Sequence, residues 1–157
     1  MSSSAVAAEV GPNPPTAPQW VVFWCAGRRL GLPLDRVREI LTPLPFTRLP
    51  GTGDEVCGLI GVRSRVVTAF DLGAVLGGES AAVEDHRVLV VEYGERIAAF
   101  VVEEVIAVAP SEVKAPPRKG GRIGIDRHLM LGTGEFEGSA FTALDSDQLL
   151  DRLLILT

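Results

Sequence analysis

Residues 56–76, VCGLIGVRSRVVTAFDLGAVL, decide the fold of this chain, because they set an arginine in a turn between two apolar runs. The first run, at residues 57–62, stops at Arg63-Ser64-Arg65, and the second occupies residues 66–70. This pattern predicts two short strands joined by a tight polar turn. Asp71 follows the second strand at the position of a helix N-cap, so we expect a single helical turn directly after it.

An internal repeat extends this interpretation to the whole chain. Residues 68–76, TAFDLGAVL, are matched by residues 142–150, TALDSDQLL, with Asp71 and Asp145 in equivalent places. A spacing this long is typical of a duplicated half-domain, because solenoid repeats are usually shorter and need about three copies for stability. We therefore predict two similar halves in which both aspartates begin short helices. A weaker echo in the same order relates Gly27-Arg28-Arg29-Leu30, before Val37, to Gly94-Glu95-Arg96-Ile97, before Val105.

Most of the remaining sequence predicts short strands separated by turns. Residues 123–131 and 136–144 are expected to form a hairpin around Gly132-Thr133-Gly134. Residues 35–41 fit either a helix of about two turns or a strand. Many short strands with few helical windows predict an all-β fold, in which barrels or a sandwich avoid long free edges.

Composition and charge exclude several classes of function. The 157 residues fit one domain, and 15 Lys and Arg against 20 Asp and Glu give a net charge of -5. Such a chain lacks the basic footprint of a nucleic-acid-binding protein. The one basic loop, with Arg118, Lys119 and Arg122, is interpreted as a surface turn. The two cysteines, Cys25 and Cys57, lie in apolar runs and are expected to be reduced core residues.

The domain boundaries follow from composition. Residues 1–18 contain four prolines and few large apolar groups, so we expect a disordered tail. The folded domain is predicted to span residues 19–157, with approximate halves 19–80 and 81–157. No apolar stretch reaches the roughly 18 residues of a membrane helix, and the N-terminus does not read as a secretory signal. We therefore expect a soluble, cytoplasmic protein without direct membrane insertion.

No catalytic or metal-binding constellation is evident. His86 and His128 are the only histidines, and each is interpreted as an exposed loop residue rather than a general base or ligand. Zinc-site spacings of Cys and His are missing, so we predict neither a metal nor a cofactor. What remains is a surface for partners, with Arg63 at the turn and Glu39 as the main candidates. A purely structural ion pair is the alternative interpretation.

An ordered series of short segments resembles the CheW-like coupling proteins of bacterial chemosensory arrays. The resemblance extends from about residue 20 to residue 150, and its order and spacing are more specific than any single piece. The segments are FWCAG at 23–27, LGLPL at 30–34, VREI at 37–40, LP at 49–50, GLIGVR at 58–63, VV at 66–67, DL at 71–72 and VVEEV at 101–105.

This resemblance implies two similar five-stranded, SH3-like β-barrel subdomains with short helices, no catalysis and an adaptor role. Members of the family join the cytoplasmic hairpin tip of chemoreceptors to the regulatory domain of a CheA-type histidine kinase. In the family the receptor tip lies in a groove between subdomains, lined by residues that match Val37, Glu39, Arg63 and Val105 here. A groove with apolar side chains and one or two charges suits an amphipathic hairpin, whose register the charges fix.

The sequence departs from the family pattern at the turn. Ser64 stands where the family commonly has glycine, and Thr68 stands where it commonly has proline. Ser64 must then adopt a left-handed backbone, or the turn has changed shape and re-aims Arg63. Thr68 restores a backbone N–H, which an edge strand could offer to a partner. The resemblance does not say which receptor, pathway or partner is retained.

Two alternatives to the general adaptor follow. One is a divergent coupling protein of a motility or other non-flagellar chemosensory pathway that keeps only one partner. The other, from a different class, is a small β-barrel enzyme or metabolite-binding protein, against which the missing catalytic constellation counts.

Overall fold

A computed structural model describes residues 17–115 and 126–154. Most of the expected N-terminal tail and the basic residues Arg118, Lys119 and Arg122 lie outside the described residues. Ten strands dominate: β1 Gln19–Cys25, β2 Arg28–Pro33, β3 Val37–Leu41, β4 Val56–Val62, β5 Arg65–Asp71, β6 Arg87–Tyr93, β7 Arg96–Val102, β8 Glu104–Pro110, β9 Met130–Phe136 and β10 Ser139–Leu144. The helices are short: α1 Leu72–Val75, α2 Ser146–Leu154, and 3-10 helices at Leu34–Arg36 and Arg127–Leu129. No helix in the described part of the chain is long and apolar enough to span a membrane.

The strands form two five-stranded sheets with the same topology, which confirms the predicted all-β fold of two similar units. The central sheet has the order β3-β6-β7-β5-β4, and the terminal sheet has the order β8-β1-β2-β10-β9. Each sheet consists of two antiparallel hairpins joined by one parallel pair, with a fifth antiparallel strand at one edge. In each sheet, the segment that follows one edge strand makes an isolated bridge to the other edge strand, Thr47 with Leu59 and Lys114 with Thr133. Among the described residues, no ladder of hydrogen bonds joins the two edge strands themselves.

The expected boundary near residue 80 does not separate the sheets. The terminal sheet takes β1 and β2 from the first half of the chain and β8, β9 and β10 from the second. The central sheet takes β3, β4 and β5 from the first half and β6 and β7 from the second. Neither of the predicted halves, 19–80 and 81–157, therefore coincides with one sheet. Each half completes its sheet with a hairpin from the other half.

The duplication holds at the level of single residues. Val37 pairs with Val91 and Val105 pairs with Phe23, and one residue later the edge strand bulges in both sheets. The predicted N-caps are confirmed, since Asp71 accepts a hydrogen bond from the Ala74 amide and Asp145 accepts one from the Gln148 amide. The hairpin registers equate Arg96 with Arg28, where the sequence echo matched it with Arg29.

The main core draws buried side chains from both sheets. Its fully buried side chains include Phe23 and Leu30 of the terminal sheet and Phe70 and Phe100 of the central sheet. A second, smaller cluster involves the terminal sheet alone and is built on Trp20, Val22, Phe141 and Ala143. Alternate residues of β1 thus enter different clusters, because successive side chains of a strand point to opposite faces.

Two local expectations change in the structure. Residues 35–41 form neither a two-turn helix nor one strand, because a 3-10 helix at Leu34–Arg36 precedes β3. The last hairpin turns at Glu137 and Gly138, so the expected turn at residues 132–134 is wrong. Gly132 lies inside β9, where a methyl group would collide with the Lys114 carbonyl, and the turn forms where two residues have positive φ.

Candidate partner-binding site

Glu39 and Arg63 form an ion pair between the two opposite edges of the central sheet. The Arg63 Nε donates to Glu39 Oε2 at 2.9 Å, and the side chain of Arg63 is 73% exposed while that of Glu39 is 20% exposed. Glu39 belongs to β3 and Arg63 follows β4, and these are the two edge strands of the sheet order. A contact between opposite edges requires the sheet to curl, so the central sheet is barrel-like although its edges are not joined by a ladder.

The turn that carries Arg63 is a two-residue hairpin loop. Val62 pairs with Arg65, and Arg63 and Ser64 have φ values of 46° and 70°. Two successive left-handed residues define the type I′ turn, whose twist suits a hairpin. Ser64 therefore adopts the left-handed backbone that glycine accepts more readily, and the turn keeps its ordinary shape. This geometry aims Arg63 back across the sheet toward Glu39.

The electrostatics of the pair favour the charged form of Arg63. The hydrogen bond to Glu39, with the added charge attraction, raises the pKa of the Arg63 guanidinium above its ordinary value. Because Arg63 is exposed and solvent screens the charges, the pair contributes little to folding. Its exposed donors are therefore available to a partner at small cost to the fold.

A second charged group beside this pair was missed by the sequence reasoning. Glu92 accepts a hydrogen bond from Arg38 at 2.8 Å and lies 3.6 Å from an Nη1 of Arg65. These side chains, with Glu39 and Arg63, surround a cavity of about 160 Å³. Arg38 and Arg65 flank residues that were singled out, but Glu92 is far away in sequence, and no local pattern links it to them.

Val37 and Val105 occupy equivalent positions in different sheets. Both are half-buried and pack against the main core. Val37 shares β3 with Glu39, whereas Val105 lies on β8 of the terminal sheet. The structure thus brings Glu39, Arg63 and Ser64 together on the central sheet. That a partner contacts these residues together with Val37 and Val105 stays a prediction.

Thr68 and His86 differ from their expected environments. Thr68 lies on β5, between β7 and β4, so it is not on an edge strand. His86 is buried, stacks on Phe46 with ring centroids 5.6 Å apart, and has its Nδ1 2.7 Å from the Val83 carbonyl. The segment before β6 therefore packs against the loop after β3, which the sequence did not indicate. His128 is exposed, as expected.

Both cysteines are free thiols; Cys25 is buried in the core as expected, whereas Cys57 is half-buried against it. Burial, with the nearby Asp71 and Glu103 charges, raises the pKa of Cys25 to about 12. Burial and Asp71 raise the pKa of Cys57 to about 11. Both groups are therefore protonated at neutral pH and are poor nucleophiles. Within residues 17–115 and 126–154, no three His, Cys, Asp or Glu side chains are grouped to hold a metal ion.

These features define a class of small all-β protein: two interlocked, duplicated sheets that carry an exposed pair of charges on a curled edge. The chain belongs to the CheW-like domain family, whose model matches residues 19–154.

Individual relatives agree with this assignment. The chain is 36% identical over 87 residues to Protein PilI of Pseudomonas aeruginosa, a match that covers 55% of this chain and 49% of PilI. It is 24% identical to Chemotaxis protein CheW of Helicobacter pylori, over 85% of this chain and 82% of the relative. The crystal structure of the scaffolding protein TtCheW from Thermoanaerobacter tengcongensis matches with a TM-score of 0.74 and 24% identity, over 86% of this chain and 88% of that one. At this identity the match establishes the shared fold.

Proposed function

We propose that this protein is a non-catalytic scaffold that couples chemoreceptors to a CheA-type histidine kinase in chemosensory signal transduction. Membership of the CheW-like family supports the adaptor class, and related proteins carry the names chemotaxis protein and scaffolding protein. The observation that carries the proposal is the exposed Arg63–Glu39 pair, held by a turn and an edge strand of the family fold. We expect the protein to act in the cytoplasm and to reach the membrane only through receptor arrays.

The proposed receptor-binding residues are Val37, Glu39, Arg63, Ser64 and Val105. An amphipathic helical hairpin presents alternating apolar and polar positions, so half-buried valines beside an exposed ion pair suit its surface. The charges contribute mainly to register and association rate, because exposed pairs add little affinity. The regulatory domain of the kinase is the second proposed partner.

A divergent coupling protein in a motility or other non-flagellar pathway is the second candidate function. The identity to PilI over 87 residues, 36%, is higher than the 24% identity to the Helicobacter pylori CheW over 138 residues. Ser64, at the position where coupling proteins commonly have glycine, is a further departure at the site itself. In this case the protein would retain either the receptor or the kinase, but not both.

The experiment is titration calorimetry of the full chain against two purified partners from the same genome, a chemoreceptor hairpin tip and a kinase regulatory domain. We expect both to bind, and Arg63→Ala to weaken receptor binding about tenfold. The matched control is Glu137→Ala, because Glu137 occupies the equivalent turn position of the terminal sheet, with φ 49°.

Each outcome has a distinct meaning. Binding of one partner alone would favour the divergent coupling protein. Binding of neither would contradict both adaptor proposals and leave the enzyme or metabolite-binding class. Equal losses for Arg63→Ala and Glu137→Ala would show that the turn at Arg63 is not a specific contact.

A further inference from the structure

The central sheet has a cavity at the end where the Arg63 turn lies. The floor of this cavity is apolar, and its rim is cationic. Buried Val62 and Val90 and half-buried Ile97 form the floor. The volume, about 160 Å³, is similar to that of engineered protein cavities that take up benzene. It is therefore large enough for one aliphatic side chain.

The rim of this cavity is positive in an otherwise acidic chain. Arg38, Arg63 and Arg65 have side chains that are 61%, 73% and 52% exposed, whereas their partners Glu39 and Glu92 are about 20% exposed. The guanidinium groups thus face solvent above the carboxylates. Arg38 and Arg65 each engage Glu92 through one nitrogen, and a guanidinium has five N–H donors. Donors therefore remain for carboxylates of a partner.

The equivalent end of the terminal sheet is filled by the protein's own side chains. The hairpin registers equate Glu92 and Ile97 with Trp24 and Arg29, since each pair is next to the turn-closing pair. The Arg29 guanidinium lies 5.9 Å from the ring centroids of both Trp24 and Phe136. Its Nε is buried and has no hydrogen-bond partner among the residues that the structure describes. The equivalent end is thus filled by the Arg29 stack in the terminal sheet, whereas the central sheet has a cavity there.

We propose that the open end of the central sheet binds an acidic helix of a partner, with one aliphatic side chain in the cavity and flanking carboxylates on Arg38 and Arg65. This inference rests on the proposed adaptor function and names the chemistry of the partner surface. An aliphatic group matches the floor of Val62, Val90 and Ile97. Carboxylates match the arginine rim, and residues four positions apart on a helix lie on the same face, so one helix can present all three groups.

The test uses two helical peptides that share one central leucine. The first has glutamate four residues before and four residues after the leucine, and the second has glutamine at both places. We expect the glutamate peptide to bind the full chain at least about tenfold more tightly by fluorescence anisotropy, with the difference reduced in high salt. Amide NMR shifts should map to Val62, Val90 and Ile97.

Variants locate the interaction. The double variant Arg38→Glu with Arg65→Glu should abolish the tenfold preference for the glutamate peptide. Ser139→Glu is the matched control, because Ser139 pairs with Phe136 as Arg65 pairs with Val62, and it should leave the preference unchanged. Val62→Phe, which imitates Phe136 of the filled end, should reduce the affinity for both peptides about tenfold.

Equal binding of the two peptides, binding of neither, or shifts confined to other surfaces would overturn this inference. The inference would also be overturned if the double variant Arg38→Glu with Arg65→Glu still preferred the glutamate peptide. Failure of the adaptor function is distinguishable: the receptor tip and kinase domain would then not bind the unmodified chain, whatever the peptides do. If those partners bind and the glutamate peptide does not, only the inference about the acidic helix fails.

Discussion

The central and terminal sheets have the same backbone plan but different ends. Both have the same strand order, the same edge-strand bulge and a two-residue turn with two positive φ values. The central sheet ends in the exposed Arg63–Glu39 pair and an open cavity. By the same register, the terminal sheet has Glu137 and Ala107 in place of that pair, and a cation–π stack in place of the cavity. The difference teaches that strand registers and tight turns restrict the backbone, while side chains at the open ends are free to diverge toward binding or toward self-filling.

The largest expected effect tests whether the backbone plans are equivalent. Gly58→Ala and Gly132→Ala should each lower the free energy of unfolding by about 4 kcal/mol, combining backbone strain and overpacking. Gly58 has φ 144° and Gly132 has φ 152°, and a methyl group would collide with the carbonyl of Thr47 or Lys114. Urea unfolding measures both changes.

Gly61→Ala is the control for these glycines. Gly61 is also in β4, and no atom in the described part of the chain lies within 4 Å of an added methyl group. We expect its effect to stay within about 0.5 kcal/mol. A Gly58 or Gly132 variant as stable as the Gly61 variant would break the equivalence of the two sheets.

Loss of the N-cap aspartate should destabilise the protein more at Asp71 than at the equivalent Asp145. Asp71 is buried and accepts hydrogen bonds from the Ser80 hydroxyl and the Ala81 amide as well as from its own helix. Asp71→Ala should cost about 3 kcal/mol, because it removes a cap and leaves a buried amide unsatisfied. Asp145→Ala removes the cap alone and should cost about 1 kcal/mol. Thermal unfolding of both variants measures the difference, and equal losses would show that the extra bonds of Asp71 contribute nothing.

A reciprocal exchange at the turns should produce a smaller effect. Ser64 and Gly138 are equivalent, with φ values of 70° and 77°. Ser64→Gly should stabilise the protein by roughly 0.5 kcal/mol, since relief of left-handed strain exceeds the added chain entropy. Gly138→Ser should destabilise it by a similar amount. Denaturant midpoints are the measurement, and changes of the same sign would contradict the equivalence of the turns.

The smallest stability effect is expected for Arg63 and Glu137, which precede Ser64 and Gly138 in the two turns. Arg63→Ala and Glu137→Ala should each leave the urea midpoint of unfolding nearly unchanged, because both side chains are exposed. Only Arg63 is expected to matter for binding. A loss of several kcal/mol for Arg63→Ala would assign the Arg63–Glu39 pair to structure instead.

Parts of the fold and site follow from local sequence. The turn at Arg63 and Ser64 and the caps at Asp71 and Asp145 rest on a few adjacent residues, so they could be predicted. The contact between Glu39 and Arg63 was expected from family resemblance, since 24 residues separate them. The burial of His86 could not be foreseen, because its partner Phe46 lies in another loop.

The sequence by itself determined the strands, the tight turns, the helix caps, the duplication and the family, because each depends on spacing along the chain. Only the tertiary structure decided that each half completes the sheet of the other, since the parallel pairs that join β2 to β10 and β5 to β7 carry no local signal. It also decided which end is open. A cavity depends on how Val62, Glu92 and Ile97 meet in space, and residues so distant in sequence are placed together only by sheet pairing and curl.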